Sequence, residues 1–238
     1  MNTELLQKDK DPMGAAIMDY HINGIAGKLR VLSPDFEEDE IPVDTLFRSY
    51  DEMPEIERTA LDMASGRILD VGAGSGCHSI ALEDMGKDVE AIDISPLAVK
   101  VMQEDGINAR QINLFDSSFV GRYDTILMLM NGSGIIGSVS NMESFFIRMK
   151  ELLNPGGCIL MDSSDVSYLF EDDEEGMAID LAAGYYGELE FTMQYKRIKS
   201  EPFKWLYIDF DTLDFYASMY GFKAEMVCSG EHYDPLLD

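Results

Sequence analysis

Ile68-Leu69-Asp70-Val71 is a short, mostly apolar run that breaks at once into Gly72-Ala73-Gly74-Ser75-Gly76, and Cys77-His78-Ser79-Ile80-Ala81-Leu82 then opens a helix. This is a buried strand turning through three glycines into a helix. Glycines let the backbone turn tightly and let a ligand touch the main chain directly. The helix N-terminus adds free N–H groups and partial positive charge. Such a turn holds the polar part of a nucleotide-like cofactor.

A second apolar run, Val89-Glu90-Ala91-Ile92, ends in Asp93, about 20 residues beyond the first glycine, where a doubly wound fold presents a carboxylate to ribose hydroxyls. Vicinal hydroxyls donate to one carboxylate, and a charged acceptor strengthens both bonds. Turn and acid together bind an adenosine-containing ligand without saying which.

The rest of the chain supplies the frame. Apolar runs predict strands over 67–71, 89–93, 108–112, 124–130 and 157–163. Helices are expected from Cys77 to Met85, Pro96 to Asp105 and Met142 to Leu153. This alternation is that of an α/β fold, a doubly wound, mostly parallel sheet covered on both faces. Upstream, Pro12 to Tyr20 and Met53 to Met63 read as helices, and Leu29–Leu32 and Asp44–Phe47 as short strands or turns. Downstream, Gly187 to Arg197 and Phe203 to Phe210 alternate polar and apolar residues around Lys199-Ser200-Glu201-Pro202, as in a β-hairpin. A helix from Thr212 to Tyr220, ended by Gly221, and a strand from Phe222 to Cys228 follow. The expected organisation is an N-terminal cap segment (1–53), a cofactor-binding core (54–165), and a lid segment, hairpin and final helix-strand (166–238) completing the same domain.

Composition sets limits. A chain of 238 residues that is 46% hydrophobic suits one large domain. It has no apolar run long enough to span a bilayer, so no membrane partner is expected. The stretch Met1-Asn2-Thr3-Glu4-Leu5-Leu6-Gln7-Lys8 lacks the basic head and apolar core of a secretory leader. Cys77, Cys158 and Cys228 are scattered without metal spacing, so no metal is expected and a reduced, cytoplasmic protein is the simplest reading. A formal net charge of −27 repels phosphate backbones, which argues against nucleic acid and leaves small molecules and proteins. The acidic runs 35–40 and 171–175 read as solvated segments.

Leu69-Asp70-Val71-Gly72-Ala73-Gly74-Ser75-Gly76 resembles the first motif of class I S-adenosylmethionine-dependent methyltransferases, with an acid two residues before a tight G-x-G-x-G. Dinucleotide dehydrogenases carry G-x-G-x-x-G and an apolar residue in place of Asp70. Asp93-Ile94-Ser95-Pro96 resembles the ribose-binding second motif. The segment 123–132 is similar to the fourth strand and its catalytic-side loop, and 152–161 to the turn into the fifth strand. The resemblance covers residues 54–165. It implies a Rossmann-like fold, S-adenosylmethionine as cofactor, and in-line methyl transfer to a small-molecule acceptor. A non-catalytic sensor of that cofactor and an NAD-dependent oxidoreductase are the alternatives.

The resemblance also implies site residues. Backbone around Gly72, Ala73, Gly74 and Gly76 faces the methionine part, and Asp70 either contacts the cofactor or stabilises the turn. Asp93 takes the ribose hydroxyls. Ile94 and Leu114 pack on the adenine faces. Asn113 accepts the adenine amine, with Asp116 as the alternative. Asn131 lies beside the sulfonium and its methyl. Candidate bases are His21, Asp162, Asp165, Tyr168 and Tyr185. Asp162 and Asp165 leave the fifth strand on the ligand side, or else cap a helix. Arg48 pairs with the cofactor carboxylate or stays at the surface. His78 faces that carboxylate or its helix neighbours, and His232 has no expected role. Segments 11–50 and 165–187 are expected to close over the site. The family's last antiparallel strand is either very short here, because Pro235 disfavours a long one, or replaced by the hairpin.

Overall fold

A computed structural model describes residues 3–172, 176–177, 184–229 and 235–237. Helix α1 (Pro12–Asn23) starts on Asp11, whose carboxylate accepts the Gly14 N–H at 2.8 Å, and stops at Gly24 in the left-handed region. Two short strands follow, β1 (Leu29–Leu32) and β2 (Asp39–Ile41). The segment around Asp44 is a 3-10 helix, Val43–Phe47, rather than a strand. Helix α2 (Glu55–Met63) leads into the core.

The core runs β3 (Arg67–Val71), α3 (Cys77–Asp84), β4 (Asp88–Asp93), α4 (Pro96–Glu104), β5 (Ala109–Gln111), β6 (Tyr123–Met128), α5 (Met142–Leu152) and β7 (Leu153–Asp162). These five strands are parallel, in the order β5-β4-β3-β6-β7. Successive residues of β3 serve opposite faces. Leu69 packs with Ile126, Phe145 and Met149 on one side, and Ile68 with Leu61, Leu82 and Leu127 on the other. Burial on both faces explains why these strands read as continuous apolar runs. Inside β4 a buried charge breaks the apolar run. Glu90, 5% exposed, is held by Arg67, Arg110 and the Tyr123 hydroxyl, which ties four strands together at the end of the sheet away from Asp93.

The remaining elements are β8 (Glu171–Asp172), β9 (Gly176–Met177), β10 (Glu188–Tyr195), β11 (Ile198–Lys199), β12 (Phe203–Leu206), α6 (Phe210–Met219), β13 (Met226–Ser229) and β14 (Pro235–Leu237). The expected hairpin is present as β10 and β12, but it does not replace the family's last strand. That strand is the short β14, which pairs antiparallel with Asp162 and Met161 of β7 and lies between β7 and β13. Pro235 begins it, where a missing N–H costs least.

The hairpin joins the N-terminal strands in a second, antiparallel sheet, β11-β10-β1-β2 with β12 also on β10. Leu29 stands opposite Tyr195 and Phe191 opposite Phe203. Leu29 and Tyr195 pack on α1, whose Ala16 and Ile17 cluster with Ala98 and Val101 of α4. The Tyr195 hydroxyl fixes this contact by donating to Asp19 at 2.7 Å and accepting the Gly27 N–H at 3.0 Å. Among the described residues, no helix is long and apolar enough to cross a membrane.

Candidate functional site

The site forms where β3, β4, β6 and β7 end. Gly72, Gly74 and Gly76 all have positive φ, which turns the chain sharply from β3 into α3. They are not equivalent. A Cβ on Gly76 would lie 2.5 Å from Ile107 Cδ1 and 2.8 Å from Met102 Cγ, so this glycine is needed for packing. A Cβ on Gly74 would meet nothing closer than the Gly72 carbonyl at 4.0 Å, which leaves its surface open to a ligand. The Gly72 and Ala73 N–H groups are spent on the Ile92 carbonyl.

Asp93 closes β4 and receives two amide hydrogens, from Gly74 at 2.9 Å and from Ser95 at 2.8 Å. Each carboxylate oxygen keeps a lone pair for a hydroxyl donor. Burial pushes this carboxyl up to about 6 against the pull of the two amides, and the nearby charges of Asp11 and Asp70 push the same way. Asp70 is 2% exposed at the end of β3 and accepts the Ser79 hydroxyl at 2.7 Å. Burial raises its pKa too. Its visible partner is a helix residue, in keeping with a turn-stabilising acid.

The opposite bank is strained. Met130 and Asn131 are consecutive non-glycine residues at φ 62° and 58°, because β6 stops at Met128 rather than 130. Left-handed pairs of this kind persist only where surrounding contacts hold them. Here the Asn131 side-chain oxygen accepts the Ser164 hydroxyl at 2.7 Å, Asp162 accepts the Gly132 N–H at 3.1 Å, and Ser133 bonds Ser163 at 2.8 Å. The structure therefore brings Asn131 and Asp162 together. Asp165 stands one step further out. It accepts the Ser167 N–H and the Tyr186 hydroxyl, while Tyr185 and Tyr186 both reach Asp209. Tyr168 is 61% exposed and holds no such position.

Two expected residues lie elsewhere. His21 sits between Glu104 and Asp105 at 3.5 and 3.6 Å. That is the far end of α4, roughly 13 Å along the helix from the turn that Asp93 caps. It is therefore removed from the reacting centre. Leu114 is 3% exposed and packed into the main core cluster, so it offers no face to an adenine. Ile94, beside Asp93, is 36% exposed. The Asn113 side chain accepts the Phe115 N–H at 3.0 Å and donates to the Glu4 carbonyl at 3.4 Å. Asp116 is bound into its own turn through Ser118.

Arg48 is no surface arginine. With its side chain 13% exposed, it bonds both oxygens of Glu57, which is 5% exposed and also bonded to His78 at 2.7 Å. Burial pushes Glu57 up, but His78 and Arg48 together hold it below the ordinary carboxylate range. The cluster pins α2 to the first turn of α3, beneath the glycine loop, and the Ser75 hydroxyl adds a bond to the Leu46 carbonyl.

Sequence reasoning missed three features. Asp11, fully buried, accepts the Ser95 hydroxyl at 2.6 Å and so brings α1 to the ribose side; its place before Pro12 was a legible cap signal. Glu57 carried no signal beyond helix polarity. Residues 4–6 cross the ends of β4 and β5, where the Leu6 N–H donates to the Ile94 carbonyl at 3.1 Å and Gln111 donates to the Leu6 carbonyl at 3.3 Å. The segment 165–187 is only partly within the described residues, and His232 lies outside them.

A methyltransferase-domain family matches residues 45–207. A crystal structure of an S-adenosylmethionine-dependent methyltransferase from Bacteroides fragilis, in complex with S-adenosyl-L-homocysteine, is 60% identical, with a TM-score of 0.94 over 100% of this chain and 97% of that one. A ubiquinone biosynthesis O-methyltransferase from Xanthomonas euvesicatoria is 27% identical over 44% of this chain and 46% of its own length. A ribosomal protein L11 methyltransferase from Desulfitobacterium hafniense is 34% identical over 42% of this chain and 34% of its own. The chain spans less than half the length of these two curated relatives, whose names point to different acceptors.

Proposed function

This chain belongs to the class I S-adenosylmethionine-dependent methyltransferases, an enzyme family whose methyl donor is S-adenosylmethionine, and we propose that it methylates a small molecule by in-line displacement. The observation that carries the reading is the placement of two groups of residues at the carboxyl ends of neighbouring parallel strands. The Gly74–Asp93 unit stands on one side, suited to the adenosine. Asn131 with Asp162 stands on the other, suited to the sulfonium end.

In that reading Gly72, Ala73, Gly74 and Gly76 with Asp70 shape the methionine end, Asp93 binds the ribose, and Ile94 and Asn113 border the adenine. A lone pair of the acceptor attacks the methyl carbon, the carbon–sulfur bond breaks, and the sulfur leaves as a neutral thioether. Alignment of the three atoms and exclusion of water supply most of the rate. If the acceptor carries a proton, Asp162 or Asp165 takes it, since Asp162 closes the carboxyl end of β7 and Asp165 follows it. The net charge of −27 supports a non-nucleic-acid acceptor, and the second sheet, which packs on α1 at one end and against the turn after Asn131 at the other, is consistent with a covered site that takes a small one. Three free cysteines fit a reducing cytoplasm. The cap 1–53 and the lid segment of 166–238 serve as cover for the core 54–165, whose domain the hairpin and the final helix and strands complete.

The test is turnover. Incubation with S-adenosylmethionine and a panel of small phenols, amines and acids is expected to give S-adenosylhomocysteine with one chemical group of acceptors. Binding of S-adenosylhomocysteine without turnover across the panel would favour the sensor alternative.

A further inference from the structure

The second sheet is amphipathic. Arg30, Glu188, Glu190, Thr192, Gln194 and Lys204 occupy one face, with Leu32 and Leu206 at its two ends. The other face is apolar and is anchored at both ends to the two banks of the groove. At one end Leu29 and Tyr195 are packed on α1, which starts at Asp11, bonded to Ser95 beside Asp93. At the other end the Trp205 indole lies against Gly134, where an added Cβ would fall 1.8 Å from its ring. The Gly134 N–H bonds the Asn131 carbonyl at 2.9 Å.

Between these anchors the same face carries Val31, Phe191, Met193, Phe203, Trp205 and Tyr207. Strand alternation and pairing, Val31 with Met193 and Phe191 with Phe203, put them on one side. Leu29 and Tyr195 are buried, but these six are only partly so. The rings meet edge to face, Phe203 with Trp205 at 6.1 Å and 79°, and Phe191 with Tyr207 at 6.4 Å and 73°. A row of rings is thus left part-open on a sheet face whose ends reach α1 and the turn after Asn131, placed to form a ceiling over the site.

We propose that this ceiling holds the methyl acceptor, and that the acceptor is a small aromatic ring. The proposal rests on the methyltransferase reading above and names its substrate class. A flat ring extends the edge-to-face pattern that Phe203 makes with Trp205 and Phe191 with Tyr207, whereas a saturated ring of the same size gains only burial. The strands that form the ceiling come from both ends of the chain, β1 before the parallel core and β10 and β12 after it.

The test uses protein loaded with S-adenosylhomocysteine and two probes of like size, 4-methylphenol and 4-methylcyclohexanol. Trp205 is the sole tryptophan, so its emission reports occupancy of the ceiling, and ligand-detected magnetic resonance gives a second readout. The phenol is expected to bind saturably, roughly three- to tenfold tighter than the saturated ring. Phe191→Leu, which keeps apolar volume but loses the ring, is expected to weaken the phenol by a similar factor and leave S-adenosylhomocysteine affinity unchanged. Phe203→Leu is the second variant, and retained cofactor affinity certifies the fold of either. Equal binding of the two probes, no saturable binding of the phenol, or variants that bind it as the parent does would overturn the proposal alone. Failure of the parent protein to bind S-adenosylhomocysteine would overturn the reading beneath it, and the proposal with it.

Discussion

The Gly74 amide donates to Asp93 Oδ2 at 2.9 Å, so the glycine turn and the acid at the end of β4 form one unit. Asp93→Ala removes the proposed ribose acceptor and loosens the turn together. Loss of charge-assisted bonds should weaken S-adenosylhomocysteine binding by about 1.5–3 kcal/mol. Calorimetry gives the dissociation constant and circular dichroism the fold. An unchanged constant in a folded variant would take the ribose role from Asp93.

The same carboxyl makes binding pH-dependent. Hydroxyl donors need the carboxylate, and its pKa is pushed up to about 6 in the cofactor-free protein. Affinity should therefore fall as pH drops below about 6, approaching roughly tenfold per pH unit. The stability of the free protein moves oppositely. With a folded pKa above the ordinary 3.8, the Asp93 contribution is fully present below 3.8 and is lost as pH rises through about 6. Asp93→Asn should flatten the binding profile over this window. A parent profile that is already flat from pH 5 to 7 contradicts the assignment.

Gly74 and Gly76 should separate binding from folding. Gly76→Ala forces a Cβ against Ile107 and Met102 at a left-handed residue, and is expected to destabilise by about 2–4 kcal/mol. Gly74→Ala meets open space, so its cost is the left-handed penalty of about 1–2 kcal/mol, yet it should impair cofactor binding more than Gly76→Ala does per unit of stability lost. Urea unfolding and calorimetry on both variants make the comparison.

Glu57→Ala leaves the Arg48 guanidinium buried without its carboxylate. Breaking such a pair costs about 3–5 kcal/mol. Urea unfolding should show the loss at neutral pH. A loss under about 1 kcal/mol would mean that water or a new partner takes the charge.

Ile94→Ala and Leu114→Ala should diverge as well. Leu114 is in the core, and its truncation should cost about 2–5 kcal/mol of stability with little change in cofactor affinity. Ile94, at the groove rim, should show the reverse.

What was legible in the sequence followed local rules. The β3 turn, Asp93 and the alternation of strand and helix depend on residues close in the chain, and the motif order placed β6 and β7. Leu114 and His21 were misplaced for one reason: a side chain's direction and a helix's far end are set by packing, which spacing does not encode. Glu57 was invisible because its partners, Arg48 and His78, come from a loop and from another helix. The hairpin was readable from its alternation. Its marriage to β1 was not, because strand pairing over long separations leaves no local trace.

That pairing has a kinetic consequence. The Tyr195 hydroxyl meets the Gly27 amide across 168 positions of chain, and closing so long a loop is slow compared with forming the local βα units. During synthesis the parallel core can fold first with α1 packed on α4, while β1 waits for β10 to emerge. The nascent chain can thus assemble the glycine turn and Asp93 before β10 is made, and an adenosine-containing ligand that binds them at that point would stabilise the core ahead of the second sheet.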